Sequence, residues 1–186
     1  MEIYRRIGNR LGEANALNDL GRVRSQTGDY PAAEGAQVQA LEICRRIGNR
    51  AGEANALLCL GQVRYMTGDI PAAADALAQA LEIYREMGYR GNEAYALNYY
   101  AATIAASGDR PRALALYHQA LAMNRELHKP DDEATSLEGI ANHHLATGDH
   151  AQGITCLRQA LEIYQHLGMR ADAERVQARL AEAKEQ

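Results

Sequence analysis

The sequence contains no tryptophan and no phenylalanine, and its 186 residues include only three cysteines and four prolines. Without the two largest apolar side chains, a core must be built from small and aliphatic residues, which favours closely packed helices. An odd number of cysteines with no Cys-x-x-Cys pair does not predict a disulfide framework, and it suits a reducing compartment. These absences exclude the small disulfide-stapled class and indicate a helical protein.

An excess of positive charge and a long apolar segment are also missing. The formal net charge is -4 at pH 7, so no basic field attracts phosphate backbones, and nucleic-acid binding is not expected. No apolar run approaches the roughly 20 residues that cross a bilayer, and the opening stretch MEIYRRIGNR lacks the apolar core of a signal peptide. We therefore expect a cytoplasmic protein with no nucleic acid and no membrane among its partners.

Motifs for catalysis, cofactors and metals do not occur either. The sequence has no phosphate-binding loop, nucleophile elbow or dinucleotide fingerprint, so we expect no catalytic residue and no cofactor. His143, His144 and His150 form a local cluster, but neighbouring residues of a helix point about 100° apart and no HExxH or Cys/His framework accompanies them. A metal site is not expected, and an enzyme is the least favoured class.

What the sequence has in abundance is internal repetition. The stretch TGDYPAA at residues 27–33 returns as TGDIPAA at 67–73, SGDRPRA at 107–113 and TGDHAQG at 147–153. Residues 11–50 can be laid over residues 51–90 with about 25 identities in 40 positions and no gap. Self-similarity at a fixed period of this length is typical of a solenoid.

Each repeat carries the end signals of two helices. The first helix is predicted to begin after Gly12 and its equivalents, which are residue types accepted at an N-cap, and to end at Gly28 and its equivalents. The second is predicted to open at Asp29, whose carboxylate can accept free N–H groups, and to stop at Gly48. In the third repeat, Pro130 is predicted to provide that stop.

Apolar spacing predicts which side of each helix is buried. In the first repeat, the stripe of the first helix is Leu17, Leu20, Gly21 and Val23, and that of the second helix is Ala33, Ala40, Leu41 and Ile47. A single hairpin cannot bury both stripes, so each repeat needs the next one. The pattern therefore predicts an all-α protein of stacked helical hairpins.

The pattern AxxLxxLGxVxxxxGDYxxAxxxxxxAL resembles the tetratricopeptide repeat (TPR), with Leu17, Leu20, Gly21, Gly28, Tyr30, Ala33 and Ala40 on its signature positions. The aromatic residue that the family usually carries in the middle of the second helix is replaced by Gln37, Leu77 and Leu157, while Tyr117 keeps a ring there. This resemblance implies a right-handed α-solenoid of antiparallel hairpins. The forty-residue period is similar to the long-repeat branch found in LGN/Pins-type adaptors and in the C-terminal arrays of actinobacterial SARP and NB-ARC regulators.

In this frame the chain contains four repeats, at residues 11–50, 51–90, 91–130 and 131–170. Residues 1–10 align with the closing turns of second helices and are interpreted as the end of a truncated preceding repeat. Residues 171–186 resemble a first helix and are interpreted as a terminal capping helix. We therefore expect a piece of a longer array, with self-association through its exposed repeat ends.

The family resemblance implies that the first helices line a concave groove for a protein or peptide partner. Asparagine can both donate to and accept from a peptide backbone, and tyrosine offers a rigid apolar surface with a polar tip. A merely solvated surface is the alternative. The predicted groove residues are Asn15, Asn18, Asp19, Arg22, Asn55, Leu58, Cys59, Gln62, Tyr65, Tyr95, Asn98, Tyr99, Glu138 and Asn142.

Two other features of the sequence are interpreted as structural. Arginines that recur along one edge, such as Arg5, Arg45 and Arg85, have glutamates close by, so local pairing is favoured over a phosphate track. Cys59 has no histidine partner in its row, so we expect a packing role instead of a nucleophile. The sequence thus predicts a non-catalytic protein–protein interaction module. The alternative is an intramolecular sensor or autoinhibitory domain of a larger bacterial transcription regulator.

Overall fold

The structure, a computed structural model, describes residues 2–185, which form helices joined by tight turns. Met1 and Gln186, the outermost residues of the predicted truncated repeat and capping helix, lie outside the described residues. The predicted all-α class is confirmed, and the helices alternate as hairpin partners. The first helices are α2 (Arg10–Gln26), α4 (Arg50–Thr67), α6 (Arg90–Ala106) and α8 (Pro130–Ala146); the second helices are α3 (Tyr30–Ile47), α5 (Ile70–Glu86), α7 (Arg110–Glu126) and α9 (His150–His166); α1 (Glu2–Arg6) precedes them and α10 (Arg170–Glu185) follows.

The chain divides within α6 into two compact units, the first ending at Tyr99 and the second starting at Tyr100. In the first unit α2 packs on α3, α3 on α4, and α4 on α5, while α2 also contacts α4. In the second unit α7 packs on α8, α8 on α9, and α9 on α10. In each unit a second helix therefore lies between two first helices, as a stack of hairpins requires.

The second helices open as predicted, whereas the first helices begin earlier than predicted. The Asp29 carboxylate caps α3 by accepting the amide N–H of Ala32 at 3.3 Å. Helix α2 begins at Arg10, and its cap is Asn9, which accepts the amide N–H of Gly12 at 2.9 Å. The predicted start after Gly12 is wrong because the preceding glycine, Gly8, adopts a φ of 71° and turns the chain at once into the next helix.

The predicted stop at Pro130 is also wrong. Helix α7 ends at Glu126, and His128 takes a φ of 53°, the left-handed conformation that glycine supplies at the other inter-repeat turns. Pro130 is the first residue of α8, where its missing N–H group would have no helical partner in any case.

The buried stripe of α2 is shorter than predicted at its C-terminal end. Leu17 is buried, but Val23 is 52% exposed, whereas its equivalent Val63 is buried because α4 packs on the preceding hairpin. Only the short helix α1 lies before α2 among the described residues. This exposed apolar surface is where self-association was expected, which stays a prediction.

The stripe of α3 also ends earlier than predicted. Ala33 and Ala40 are fully buried, but Ile47 is 39% exposed, since it is the last residue of the helix. Ile43 and Cys44 are buried in its place, three and four residues after Ala40. Cys44 therefore belongs to the core.

The middle of each hairpin in the first unit depends on a glycine that faces a large side chain. A Cβ atom on Gly61 would overlap the Leu77 side chain, and one on Gly21 would overlap Gln37. Gln37 is fully buried; its Nε2 donates to the Asn18 carbonyl at 3.0 Å, while its Oε1 has no partner. The first hairpin thus carries a polar residue where the second has leucine.

Candidate functional site

Two adjoining cavities lie along α2, α4 and α6 in the first unit, and we call this surface the groove face. The first cavity has a volume of about 390 Å³, and the second about 360 Å³. Arg22 and Cys59 line both. The first cavity is lined by Asn15, Asn18, Asp19, Arg22, Asn55, Leu58 and Cys59, all of which were predicted from the sequence.

The second cavity combines predicted residues with several that the sequence analysis missed. Gln62, Tyr95 and Tyr99 were predicted. Met66 was missed, although it is 58% exposed and follows Gln62 by one helical turn. The other lining residues that were missed are Gly21, Ser25, Gln26, Tyr30 and Val63.

A pair of tyrosines forms an aromatic wall of the second cavity. Tyr95 and Tyr99 lie four residues apart on α6, so their rings meet, with centroids 5.1 Å apart and planes tilted by 60°. Gln62 Nε2 donates to the Tyr95 hydroxyl at 3.3 Å, and that hydroxyl donates to Tyr99 at 3.3 Å. The wall therefore has apolar faces and a hydrogen-bonded polar edge.

A buried tyrosine orients one of the groove asparagines. Tyr84 is fully buried near the end of α5, and its hydroxyl donates to Asn55 Oδ1 at 2.8 Å. Burial raises the pKa of Tyr84 to about 12, although a hydrogen bond with Asn92 acts in the opposite direction. The phenol keeps its proton at neutral pH and continues to donate it to Asn55. Sequence analysis missed Tyr84, whose place four residues after the buried Ala80 was the available signal.

Cys59 has the properties of a packing residue. Burial raises the pKa of its thiol to about 11, with a smaller opposing effect from Arg22 and a small supporting one from Asp19. The thiol is therefore neutral at physiological pH, and a neutral thiol is a poor nucleophile.

Two predicted groove residues of the first unit line neither cavity. Tyr65 is half-buried and Asn98 is only 3% exposed. Asn98 therefore lies in the protein interior, and the predicted contribution of Tyr65 to partner binding stays a prediction.

The predicted groove residues of the second unit are engaged within the fold. Glu138 is 8% exposed and accepts hydrogen bonds from the Tyr164 hydroxyl at 2.9 Å, from Arg175 at 2.9 Å and from Arg179 at 2.7 Å. Asn142 accepts a hydrogen bond from Arg179. Both residues thus anchor α10 on α8; Glu138 is buried, whereas Asn142 remains exposed, and a role for either in binding a partner stays a prediction.

The arginines along the repeat edge are paired locally, as predicted. Arg45 Nε lies 2.9 Å from one carboxylate oxygen of Glu53, and Arg50 lies 2.8 Å from the other. The same bond joins Arg85 to Glu93 at 2.7 Å in the first unit. Equivalent pairs occur at Arg5–Glu13 and Arg125–Glu133.

This pairing predicts acid sensitivity. Burial alone would raise the pKa of Glu53, but hydrogen bonds from Arg45 and Arg50 outweigh it and lower the pKa below the ordinary 4.5. Because the folded-state pKa is depressed, the stabilisation is present above pH 4.5 and is lost as the pH falls through the folded value. Glu53→Gln should therefore lower the urea midpoint at pH 7, and its difference from wild type should shrink at pH 3. Glu42→Gln, at an exposed position of α3, is the control and should change the midpoint little at either pH.

Within residues 3–183, whose side chains the structure describes, there is no group of three His, Cys, Asp or Glu side chains placed to hold a metal ion. His144 Nδ1 lies 3.5 Å from Asp149 Oδ2, which is a pairwise contact across the turn between α8 and α9. None of the described helices combines the length and apolar character that a membrane span requires.

Comparison with solved structures finds the same fold. The chain superposes on the nearly identical TPR-like repeats of a Podosopora anserina protein named as a kinesin light chain, with a TM-score of 0.67, 16% identity, and coverage of 91% of this chain and 94% of that one. BtubC (BKLC) from P. vanneervenii gives a TM-score of 0.67 at 16% identity, with coverage of 99% and 91%. A Rap protein in complex with Competence and Sporulation Factor gives 0.77 at 15% identity, covering 92% of this chain and 54% of that one.

Sequence comparison identifies the family. No curated protein matches the sequence. The family model described as tetratricopeptide repeat matches residues 1–46, 28–86 and 92–166, which together make up most of the sequence. These matched segments contain the turns at Gly28 and Gly48 and the buried stripes of α2 and α3 described above. The chain therefore belongs to the tetratricopeptide repeat family.

Proposed function

We propose that this chain is a non-catalytic protein-interaction module that binds a peptide segment along the groove face of α2, α4 and α6. The observation that carries the proposal is the pair of adjoining cavities, where asparagine side chains stand beside a tyrosine wall. The buried stripes of the same helices are occupied by packing between hairpins. The groove face is thus left for a ligand.

The side chains of the groove face suit an extended peptide. Asn15 and Asn55, one repeat apart, are both exposed at the first cavity, so their amides can bond successive peptide groups. Tyr95 and Tyr99 offer a rigid apolar surface at low entropic cost. The Rap protein of the same fold is complexed with Competence and Sporulation Factor, which supports a binding role for such a solenoid.

The sequence also predicts a branch of the family and an alternative role for the same groove. The long-repeat branch of LGN/Pins-type adaptors and bacterial regulators is proposed from the forty-residue period. An intramolecular sensor within a transcription regulator would use the groove face for a segment of its own parent chain. No contact or distance in the described residues favours that alternative.

The proposal can be tested by selecting binders from a random peptide library displayed on phage and titrating the tightest one by calorimetry. Tyr99→Ala should weaken binding by about 1 to 2 kcal/mol, roughly five- to thirtyfold, because it removes half of the aromatic wall. Arg46→Ala, an exposed position of α3, should change affinity by less than about 0.5 kcal/mol. Circular dichroism of both variants shows whether each remains folded. The proposal is wrong if Arg46→Ala is the more damaging change or if no selected peptide depends on Tyr99.

A further inference from the structure

The exposed apolar side chains of the described residues are concentrated in α1 and α2. Half of the large ones lie between residues 3 and 23, and they are Ile3, Tyr4, Ile7, Leu11 and Val23. A concentration of this kind on a soluble protein marks an interaction surface. We call the surface formed by Ile3, Ile7, Leu20 and Val23 the end face.

The second repeat shows how the α2 part of this face is buried when a neighbour is present. Leu60 and Val63 of α4 are both buried, because α4 packs on the hairpin of α2 and α3. Their equivalents in α2 are Leu20, which is half-buried, and Val23, which is exposed. This side of α2 therefore has the residue types of a buried surface without the hairpin that would bury it.

Helix α10, in the second unit, offers no matching surface. Its apolar residues Val176 and Leu180 are buried. The side chains that α10 exposes within residues 171–183 are polar or small, and Glu174, Gln177 and Ala181 are examples. A head-to-tail contact would therefore place the apolar end face against charged side chains, and it would extend from copy to copy without closing. The end face of a second copy, by contrast, is apolar as well.

Helix α1 covers only one half of α2. Arg5 Nε donates to Glu13 at 2.6 Å, and a Cβ atom on Gly12 would overlap the Tyr4 ring. Both contacts involve the N-terminal half of α2, whereas residues 20–23 lie in its C-terminal half. The C-terminal half is thus the part of α2 that lacks an apolar neighbour.

We infer that the end face binds a second copy of this chain, with the two α2 helices antiparallel across a twofold axis. In that arrangement the N-terminal half of one α2 faces the C-terminal half of the other. Ile3 and Ile7, on the helix beside the N-terminal half, then meet Leu20 and Val23 of the second copy. The same contact forms twice by symmetry, so the assembly closes at a dimer. This inference does not depend on the groove function.

The oligomeric state of the whole chain provides the first test. A face of four apolar side chains per copy is small, so we expect a weak dimer with a Kd of about 20 to 200 µM. Sedimentation equilibrium over about 5 to 500 µM protein should fit a monomer–dimer equilibrium without larger species. Raising the salt to about 0.5 M should not weaken the dimer, because the contact is apolar and not ionic.

Three lysine variants locate the contact. Val23→Lys and Ile7→Lys should each raise the Kd at least about tenfold, because a charge would have to be buried in the interface. Met66→Lys is the matched control, since Met66 is 58% exposed and Val23 is 52% exposed. It makes the same change on the groove face and should leave the Kd unaltered. All three positions are exposed, so the variants should remain folded, which circular dichroism checks.

Cross-linking tests the antiparallel arrangement. Isotope-labelled Ile7→Cys is mixed with unlabelled Val23→Cys and treated with a short bismaleimide, and mass spectrometry identifies the linked positions. We expect links between position 7 of one copy and position 23 of the other. A mixture of Val23→Cys with Ala181→Cys, whose new thiol lies on the exposed side of α10, is the head-to-tail control and should give no link between these positions.

A chain that stays monomeric at about 500 µM would overturn the inference, as would a dimer that survives both Val23→Lys and Ile7→Lys. Loss of the dimer in Met66→Lys alone would place the contact on the groove face and would also overturn it. Links between positions 23 and 181, or species larger than a dimer, would show a head-to-tail assembly instead. Peptide binding is tested separately by the library selection, so each of these outcomes leaves the groove function standing.

Discussion

Leu77→Gln should destabilise the protein by about 2 to 4 kcal/mol, because it removes a fully buried aliphatic side chain from its contact with Gly61 and inserts an amide. The reciprocal change, Gln37→Leu, should stabilise the protein by about 1 to 2 kcal/mol, since it removes a buried oxygen that has no partner. The Asn18 carbonyl that Gln37 contacts lies within α2, so it keeps its place in the helix ladder.

Urea unfolding followed by circular dichroism measures both changes against wild type. The two positions are equivalent members of successive hairpins, so each variant is the matched control of the other. Destabilisation by Gln37→Leu of more than about 1 kcal/mol would show that the hydrogen bond to the Asn18 carbonyl outweighs the buried unpaired oxygen. Stabilisation by Leu77→Gln would show that the second hairpin does not depend on an aliphatic side chain at this position.

Glu138→Ala should cost about 2 to 4 kcal/mol and release α10 from the second unit. Glu138 joins Tyr164 of α9 to Arg175 and Arg179 of α10, so its removal leaves two guanidinium groups without their shared acceptor. The apolar contacts of α10, which include the buried Val176, would remain but would act alone.

Hydrogen exchange measured by mass spectrometry can localise this effect. Amides in residues 174–183 should exchange faster in Glu138→Ala than in wild type, while those of α4 should be unchanged. Glu174→Ala removes an exposed carboxylate from α10 itself and should leave exchange unchanged. Equal protection of α10 in all three proteins would show that the ion-pair network is dispensable for docking.

The features that depend on local sequence were the ones predicted best. Asp29 could be identified as a helix cap from its place after a glycine, because capping involves only the next few residues. The phase of a helix likewise determines which residues share a face, so Asn15, Asn18 and Arg22 were placed together correctly. Because the repeat period is forty residues, the same phase also placed Asn55, Leu58 and Cys59 of α4 on this face.

The features that depend on neighbouring elements were predicted less well. Helix phase gives Glu138 the same position in its repeat as Leu58 has in the second repeat, but it does not reveal that Arg175 and Arg179 of α10 bind the Glu138 carboxylate. Val23 and Val63 have the same phase and opposite burial, because within the described residues a hairpin packs before α4, whereas only the short helix α1 lies before α2. Tyr84 acts on Asn55 from another helix, which no local pattern reveals.

The pairing of Arg45 with Glu53 bears on how such an array can grow. The residues that connect α3 to α4 all lie within residues 45–53. They are the two charged partners, the left-handed Gly48, the capping Asn49 and the second arginine, Arg50. Residues 5–13 hold the same set of residue types in the same order. A tandem duplication of one forty-residue unit would therefore copy the whole inter-repeat turn, with its cap and its Arg–Glu pairs, along with the two helices. A new repeat would then carry all the residues that connect it to its neighbour.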